Sequence, residues 1–331
     1  MISFRDSVVD FLEQSEQKDV ARSIVQINAP LMQVLAPPLL WNWDIPPAGQ
    51  AAFEQLAFCD AMPQSASGQY YAASARSFSL AYNSFLNLIN AQAFPLPRAL
   101  NQSINNNIPP GNAAKGWVQS MNLAGQLEWK RMWNVSQNPA AWLAGFAQGQ
   151  QKNAAEWIFN DPQLSISIGN SEVLPIVPTT QVKLSAEAVG RIEVNPGIWY
   201  DSSIVTLAQS NKYYLKVSPT VVFGNAGLMN CRIAEFIVAL KPSPSIIIDK
   251  ALISQNTVTG ISTAGFSFAD KITAPINNTS VVKHVDFSLS DVGEGQVQVS
   301  GTINGADKDN VFIVAVILEC YSMTSQNCIT Q

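Results

Sequence analysis

The spacing of apolar residues along the chain changes near residue 163. Before it, Ala, Gln and Leu dominate and apolar residues recur every three or four positions, which is typical of amphipathic helices. After it, short runs rich in Val, Ile and Thr are separated by Gly, Pro and Asn, which is typical of strands and turns. The pattern predicts helices over residues 4–26, 49–60, 66–93, 112–134 and 138–159, and strands from 164 onward that include 164–168 and 212–223.

Three of the predicted strands have informative side-chain patterns. Residues 311–318 read VFIVAVIL, apolar on both alternate faces, which predicts a central strand covered on both sides. QVQVSGTI precedes it, and Asn304-Gly305 lies between the two runs, so the sequence predicts a hairpin. KHVDFSLS, starting at Lys283, alternates apolar and polar residues and is expected to be half exposed. We therefore predict an α+β fold, with an N-terminal α-helical bundle-like half over residues 1–163 and an antiparallel β-sandwich half over residues 164–331.

The predicted helix over 66–93 is unusual because it carries so little charge. Arg76 is its one charged side chain, and Ser and Asn occupy most of its polar positions. Such a helix suits the interior of a bundle, a contact between subunits, or a bilayer, where charge is costly. At about 1.5 Å per residue it would be about 40 Å long, enough to cross a membrane. Its apolar stripe supplies our candidates for membrane insertion or assembly: Tyr71, Phe78, Tyr82, Phe85 and Ile89.

Composition supports a protein poor in charge rather than one that binds nucleic acid. Hydrophobic residues make up 47% and charged residues 13% of the chain, against about 25% charged residues in an average globular domain. The net charge is −5, so no basic surface is expected to attract nucleic acid. Acidic residues near the start and the shortness of the longest apolar run predict a protein synthesised as soluble and cytoplasmic without a signal peptide. Release or delivery outside the cell stays open.

Candidate chemistry is sparse. The one histidine, His284, lies two residues from Asp286 on a predicted strand, and a solvated strand face explains the pair better than catalysis does. The chain has no GxSxG, GxGxxG or phosphate-loop motif, and its four cysteines form no CxxC pair. We therefore expect no enzymatic activity, no cofactor and no bound metal. Cys320 and Cys328 could close a small loop, whereas the other two cysteines resemble buried thiols.

Two functions from different classes fit these observations. The favoured one is a non-enzymatic, membrane-active or pore-forming toxin-like protein, with a helical half and a binding β-sandwich half that meets a membrane or cell-surface receptor. Trp199 and Tyr200 follow a Pro-Gly turn and are the candidates for an exposed binding tip, and the start of an ordinary strand is the alternative for this segment. The alternative is a self-assembling structural protein, a shell, tail or inclusion component held by contacts rich in Asn and Gln. Both imply a homo-oligomer, and a lectin-like function is less favoured than either.

Overall fold

The computed structural model describes residues 2–18, 31–41, 43, 50–64, 69–105, 117–121, 124–125, 127–161, 164–168, 172–175, 180–224, 226–252, 266–270 and 285–321. Within these ranges there are seven α-helices: α1 (Phe4–Lys18), α2 (Gln50–Asp60), α3 (Phe78–Leu88), α4 (Pro97–Asn105), α5 (Pro139–Ala147), α6 (Ser202–Ser210) and α7 (Pro219–Phe223). None of the helices in the described ranges is both long enough and apolar enough to span a membrane.

The strands, in chain order, are β1 (Leu31–Leu40), β2 (Ala61–Pro63), β3 (Ala73–Ser77), β4 (Trp117–Met121), β5 (Leu127–Arg131), β6 (Trp133–Val135), β7 (Ala155–Phe159), β8 (Leu164–Ile168), β9 (Glu172–Pro175), β10 (Gln181–Ala186), β11 (Ala188–Pro196), β12 (Cys231–Leu240), β13 (Ser243–Asp249), β14 (Phe266–Asp270), β15 (Val285–Gly293), β16 (Gln296–Ile303) and β17 (Val311–Cys320). A first sheet has the order β1-β17-β12-β11-β6, and a second has the order β15-β16-β13-β10-β7. Every neighbouring pair in both sheets is antiparallel.

The first sheet is the middle layer of the molecule. One of its faces packs on the second sheet, through side chains such as Ile237 and Val314 that meet Trp157 and Ile246 in a common apolar cluster. Its other face packs on the helices α2 to α7, which share a larger and strongly aromatic cluster with β11, β12 and β17. Residues Val311 to Leu318 of β17 are therefore buried on both faces, which confirms the prediction made for that strand.

The predicted helical half is wrong. Strands β1, β6 and β7 all lie before residue 163, and they pair with β17, β11 and β10 from the second half of the chain. Residues 117–121 and 127–131 form the antiparallel strand pair β4–β5, where the sequence pattern predicts part of one helix. In β7 the side chains of Ala155, Trp157 and Phe159 are buried and the two between them are exposed. This period of two is present in the sequence, but Ala and Gln, which favour helices, precede it and obscure it.

The helix predicted over residues 66–93 is also shorter in the structure. Residues 73–77 form β3, which pairs with β2, and α3 begins only at Phe78. The Ser77 side chain accepts a hydrogen bond from the Leu80 amide, so this serine caps the helix and separates it from the strand. The 11 residues of α3 span about 16 Å, roughly half the thickness of a hydrocarbon layer.

Two local predictions in the second half also differ from the structure. The expected hairpin does not form, because β16 pairs with β15 and β13 in the second sheet while β17 belongs to the first. The connection between them crosses from one sheet to the other, and the Asn310 side chain donates hydrogen bonds to the carbonyls of Ala306 (2.8 Å) and Asn304 (3.3 Å). The tight hairpin joins β15 to β16 instead, where Glu294 and Gly295, the two central residues of the turn, adopt the positive φ angles (52° and 75°) that such turns require. Residues 212–223, predicted as a strand, form a 3₁₀ turn and α7.

Candidate functional site

The candidate residues for insertion or assembly lie inside the protein. All five are at most 4% exposed, in the cluster between the helices and the first sheet: Tyr71, Phe78, Tyr82, Phe85 and Ile89. The exposed position predicted for Trp199 is wrong, because its side chain is 3% exposed and its indole N–H donates to the Met132 carbonyl at 2.7 Å. Tyr200 is half-buried and lines a cavity. His284 and Cys328 lie outside the described residues.

The cavity that contains Tyr200 opens between the helical layer and one end of the first sheet. Its volume is about 400 Å³, within the range of roughly 300–1,000 Å³ that small-molecule sites occupy. The walls come from α4, the β11–α6 connection and β12: Ala99, Gln102, Ser103, Asn195, Pro196, Ile198, Tyr200, Asp201, Ser202 and Arg232. The lining combines amides, hydroxyl groups and a carboxylate with one aromatic ring and one guanidinium group.

The connection between β11 and α6 is shaped by a Pro-Gly turn. The Gly197 amide donates to the Met132 carbonyl at 2.7 Å, the same oxygen that accepts from Trp199. A Cβ atom at Gly197 would meet that carbonyl at 2.9 Å, so only glycine allows the connection to pass so close to its neighbour. Asp201 then caps α6, because its carboxylate accepts hydrogen bonds from the amide and the hydroxyl of Ser203. Two anchored ends thus hold Tyr200 in the cavity wall.

Tyr82 links two walls of the cavity through hydrogen bonds of its hydroxyl group. Its hydroxyl group lies 2.8 Å from the Ser103 hydroxyl on α4 and accepts a hydrogen bond from the Asp201 amide at 3.1 Å. Burial raises the pKa of Tyr82, so the phenol stays protonated at neutral pH. A residue that the sequence pattern marks as part of an apolar stripe therefore helps to position polar groups of the site.

A second polar network holds two of the side chains that line the cavity, Tyr200 and Arg232. The Arg232 Nε atom donates to the Tyr321 hydroxyl at 3.0 Å, and the Tyr321 and Tyr200 hydroxyls lie 2.9 Å apart. The Arg232 guanidinium also forms an ion pair with Glu319 and donates to the Val194 carbonyl at 3.1 Å. Burial is the main reason that the pKa of Tyr200 rises to about 12, so its ring carries no charge at physiological pH.

Comparison with protein-family models, with curated proteins and with solved structures finds no match to this chain. The functional argument therefore rests on the geometry of the cavity and on its chemistry.

Most of the side chains that line the cavity can form hydrogen bonds. Within the described ranges, no group of three or more His, Cys, Asp or Glu side chains is placed to bind a metal ion. The absence of a metal, a cofactor and an enzymatic activity stays a prediction. Gln102, Asn195 and Arg232 were missed by sequence reasoning because they come from separate elements and belong to no motif. The Pro196-Gly197 turn is the one local signal that pointed to this region.

Proposed function

We propose that this protein binds carbohydrate, and that the cavity between α4, the β11–α6 connection and β12 holds the ligand. The observation that carries the proposal is the set of side chains lining the cavity. Gln102 and Asn195 each offer an amide that both donates and accepts hydrogen bonds, and Ser202 adds a hydroxyl group that does the same. Sugar hydroxyl groups need partners of this kind, because each of them is a donor and an acceptor at once.

Tyr200 lines the cavity, so part of its ring can contact the C–H groups of a sugar. The sugar does not stack on the ring, because the Arg232 guanidinium lies over one face and the Tyr82 ring packs beside it, with 4.9 Å between the ring centroids. Tyr200 is held by Tyr321 and lies 5.9 Å below the Arg232 guanidinium carbon, so its orientation is fixed before any ligand arrives. A preorganised wall lowers the entropy that is lost when a ligand binds.

The charges of the cavity favour a neutral ligand over an anion. Arg232 is the cation in the wall, but Glu319 neutralises it and its N–H groups are engaged by Tyr321 and by backbone carbonyls. Asp201 lines the cavity as well, and its negative charge would repel a phosphate or a carboxylate. A neutral, hydroxyl-rich molecule meets neither obstacle.

This proposal retains the cell-surface receptor expected from the sequence as a partner, in the form of a glycan. It assigns no reaction to the cavity. The pore-forming and self-assembling functions stay predictions. Insertion of α3 would require its apolar side chains to leave the core, and they include Phe78, Tyr82 and Phe85, which have no exposed surface.

The test is a binding experiment with defined sugars. The purified protein is applied to a printed array of neutral and acidic glycans, and the strongest binder is then titrated by calorimetry. Gln102→Ala and Asn195→Ala should each weaken binding by about tenfold, because one lost hydrogen bond is worth about 1.4 kcal/mol. Asn101→Ala is the matched control, since Asn101 is exposed on α4 beside Gln102 but does not line the cavity.

Two results would contradict the proposal. One is the absence of binding to any glycan on the array at protein concentrations in the high micromolar range. The other is binding that the two cavity variants and the Asn101 variant reduce equally, because the sugar would then bind elsewhere on the protein. A preference for acidic glycans over neutral ones would refute the argument from charge.

A further inference from the structure

Two cysteines face each other across the first sheet. Cys231 begins β12, Cys320 ends β17, and the two residues are direct partners in the antiparallel register. Their Sγ atoms lie 2.8 Å apart, against about 2.05 Å in a disulfide bond. Small changes in the two side chains would bring the sulfur atoms to bonding distance. The strands already provide the backbone separation, since directly opposed residues in such sheets have Cα atoms about 4.5–5.5 Å apart.

The hydrogen-bond pattern places the two cysteines at the closer kind of pair. The neighbouring pair is Asn230 and Tyr321, and the Tyr321 amide donates to the Asn230 carbonyl at 2.8 Å. Hydrogen-bonded and non-hydrogen-bonded pairs alternate along an antiparallel ladder, so Cys231 and Cys320 form a non-hydrogen-bonded pair. The Cys231 amide accordingly donates to the Asn230 side chain rather than across the ladder. In such pairs the side chains approach most closely.

The two thiols also differ in exposure in a way that suits a stepwise reaction. Cys231 is 1% exposed, whereas Cys320 is partly exposed at the end of its strand. A dissolved oxidant can therefore reach Cys320 first, and Cys231 is then in place to complete the bond. Cys59 is buried elsewhere in the core, and burial together with the neighbouring Asp60 raises its pKa, so its reactive thiolate is disfavoured.

We propose that Cys231 and Cys320 form a reversible cross-strand disulfide. With a small disulfide such as oxidised glutathione, the Cys320 thiolate attacks one sulfur atom and displaces one glutathione thiolate. The Cys231 thiolate then attacks the mixed disulfide at the Cys320 sulfur and displaces the second glutathione. The two cysteines lose two electrons and two protons, and the oxidant gains both as two glutathione thiols. A small dithiol reverses the reaction.

The bond would join the two strand ends that support the cavity. Arg232 follows one cysteine and Tyr321 follows the other, and these two side chains are hydrogen-bonded to each other. The proposal is nevertheless independent of the proposed carbohydrate binding, because it rests on the register of β12 and β17 and on the distance and exposure of the two sulfur atoms. It also assigns to Cys320 a different partner from Cys328, the one that the sequence suggested.

Peptide mapping separates the possible bridges. After incubation with oxidised glutathione, alkylation of remaining thiols and digestion with trypsin, Cys231 lies in the peptide 217–232, and Cys320 and Cys328 both lie in the peptide 309–331. The proposed bond links these two peptides, and the link should disappear with dithiothreitol. A bridge between Cys320 and Cys328 would instead leave 309–331 as a separate peptide, two hydrogen atoms lighter.

Variants assign the linked sulfur atoms. The link should persist in Cys328→Ser and be absent from Cys231→Ala and Cys320→Ala, and Cys59 should remain alkylated throughout as an internal control. The oxidised wild-type protein and the Cys328→Ser variant should also melt at a higher temperature than their reduced forms, since the bond restricts the unfolded chain. A lighter 309–331 peptide without the link, loss of the link in Cys328→Ser, or complete alkylation of all thiols after oxidation would overturn the proposal.

Discussion

Replacing Phe85 with alanine tests whether α3 serves mainly as part of the core. The Phe85 side chain has no exposed surface, and its ring centroid lies 5.8 Å from that of Tyr82 and 5.6 Å from that of Phe223. Removing a fully buried phenylalanine costs about 3–5 kcal/mol, because apolar contacts are lost and a cavity remains. We expect Phe85→Ala to lower the free energy of unfolding by an amount in this range.

This loss of stability should be visible as a lower melting temperature. Unfolding entropies of about 2.1 cal/mol/K per residue give about 0.7 kcal/mol/K for this chain, so a loss of about 4 kcal/mol corresponds to about 6 °C. Ser84→Lys is the control at the adjacent position. Ser84 is exposed and its hydroxyl bonds only to the Leu80 carbonyl in the same helix, so the change should stay within about 0.5 kcal/mol.

Both variants are also assayed for dye release from liposomes, because the membrane-active function remains untested. A melting temperature of Phe85→Ala within 1–2 °C of the wild type (about 1 kcal/mol by the same conversion) would refute the buried position of α3. So would a Ser84→Lys variant as unstable as Phe85→Ala. Dye release by wild-type protein that either substitution abolishes without altering the melting temperature would support insertion of this helix.

Three further predictions concern the core and the cavity walls. Burial raises the pKa of the Asp60 carboxyl, so the folded state holds the Asp60 proton more tightly than the unfolded state does. The free energy of unfolding should therefore fall as pH rises above about 4. Asp60→Asn should reduce this pH dependence, measured by urea unfolding at several pH values. Tyr82→Phe should cost about 1–3 kcal/mol, measured by urea unfolding, because the Asp201 amide loses its acceptor. Gly190→Ala should cost a similar amount, since the new methyl group would lie 2.7 Å from the Trp142 indole nitrogen. Unchanged stability in any of the three would contradict the corresponding contact.

Some elements could be predicted from the sequence because their signals are local. The run VFIVAVIL predicts a strand buried on both faces, since no amphipathic element tolerates eight apolar residues in a row. Strand β8 is found over the residues predicted for it, and α2 within one residue of them. Other signals were present but were outweighed: the alternation around Trp157 is clear in β7, yet the Ala- and Gln-rich segment before it favours a helix.

The sequence by itself determined a chain poor in charge, with strands of definite position in its second half and a Pro-Gly turn before Trp199. Only the tertiary structure decided that β1, β6 and β7 pair with strands more than 20 residues later in the chain, because strand pairing depends on long-range hydrogen bonds that no local pattern records. The cavity likewise depends on the tertiary structure. Its walls come from α4, the β11–α6 connection and β12, and the Tyr82 hydroxyl joins two of them only after the helices have packed on the first sheet. Sequence periodicity reports which face of an element is apolar, but what that face meets depends on the packing of the whole chain.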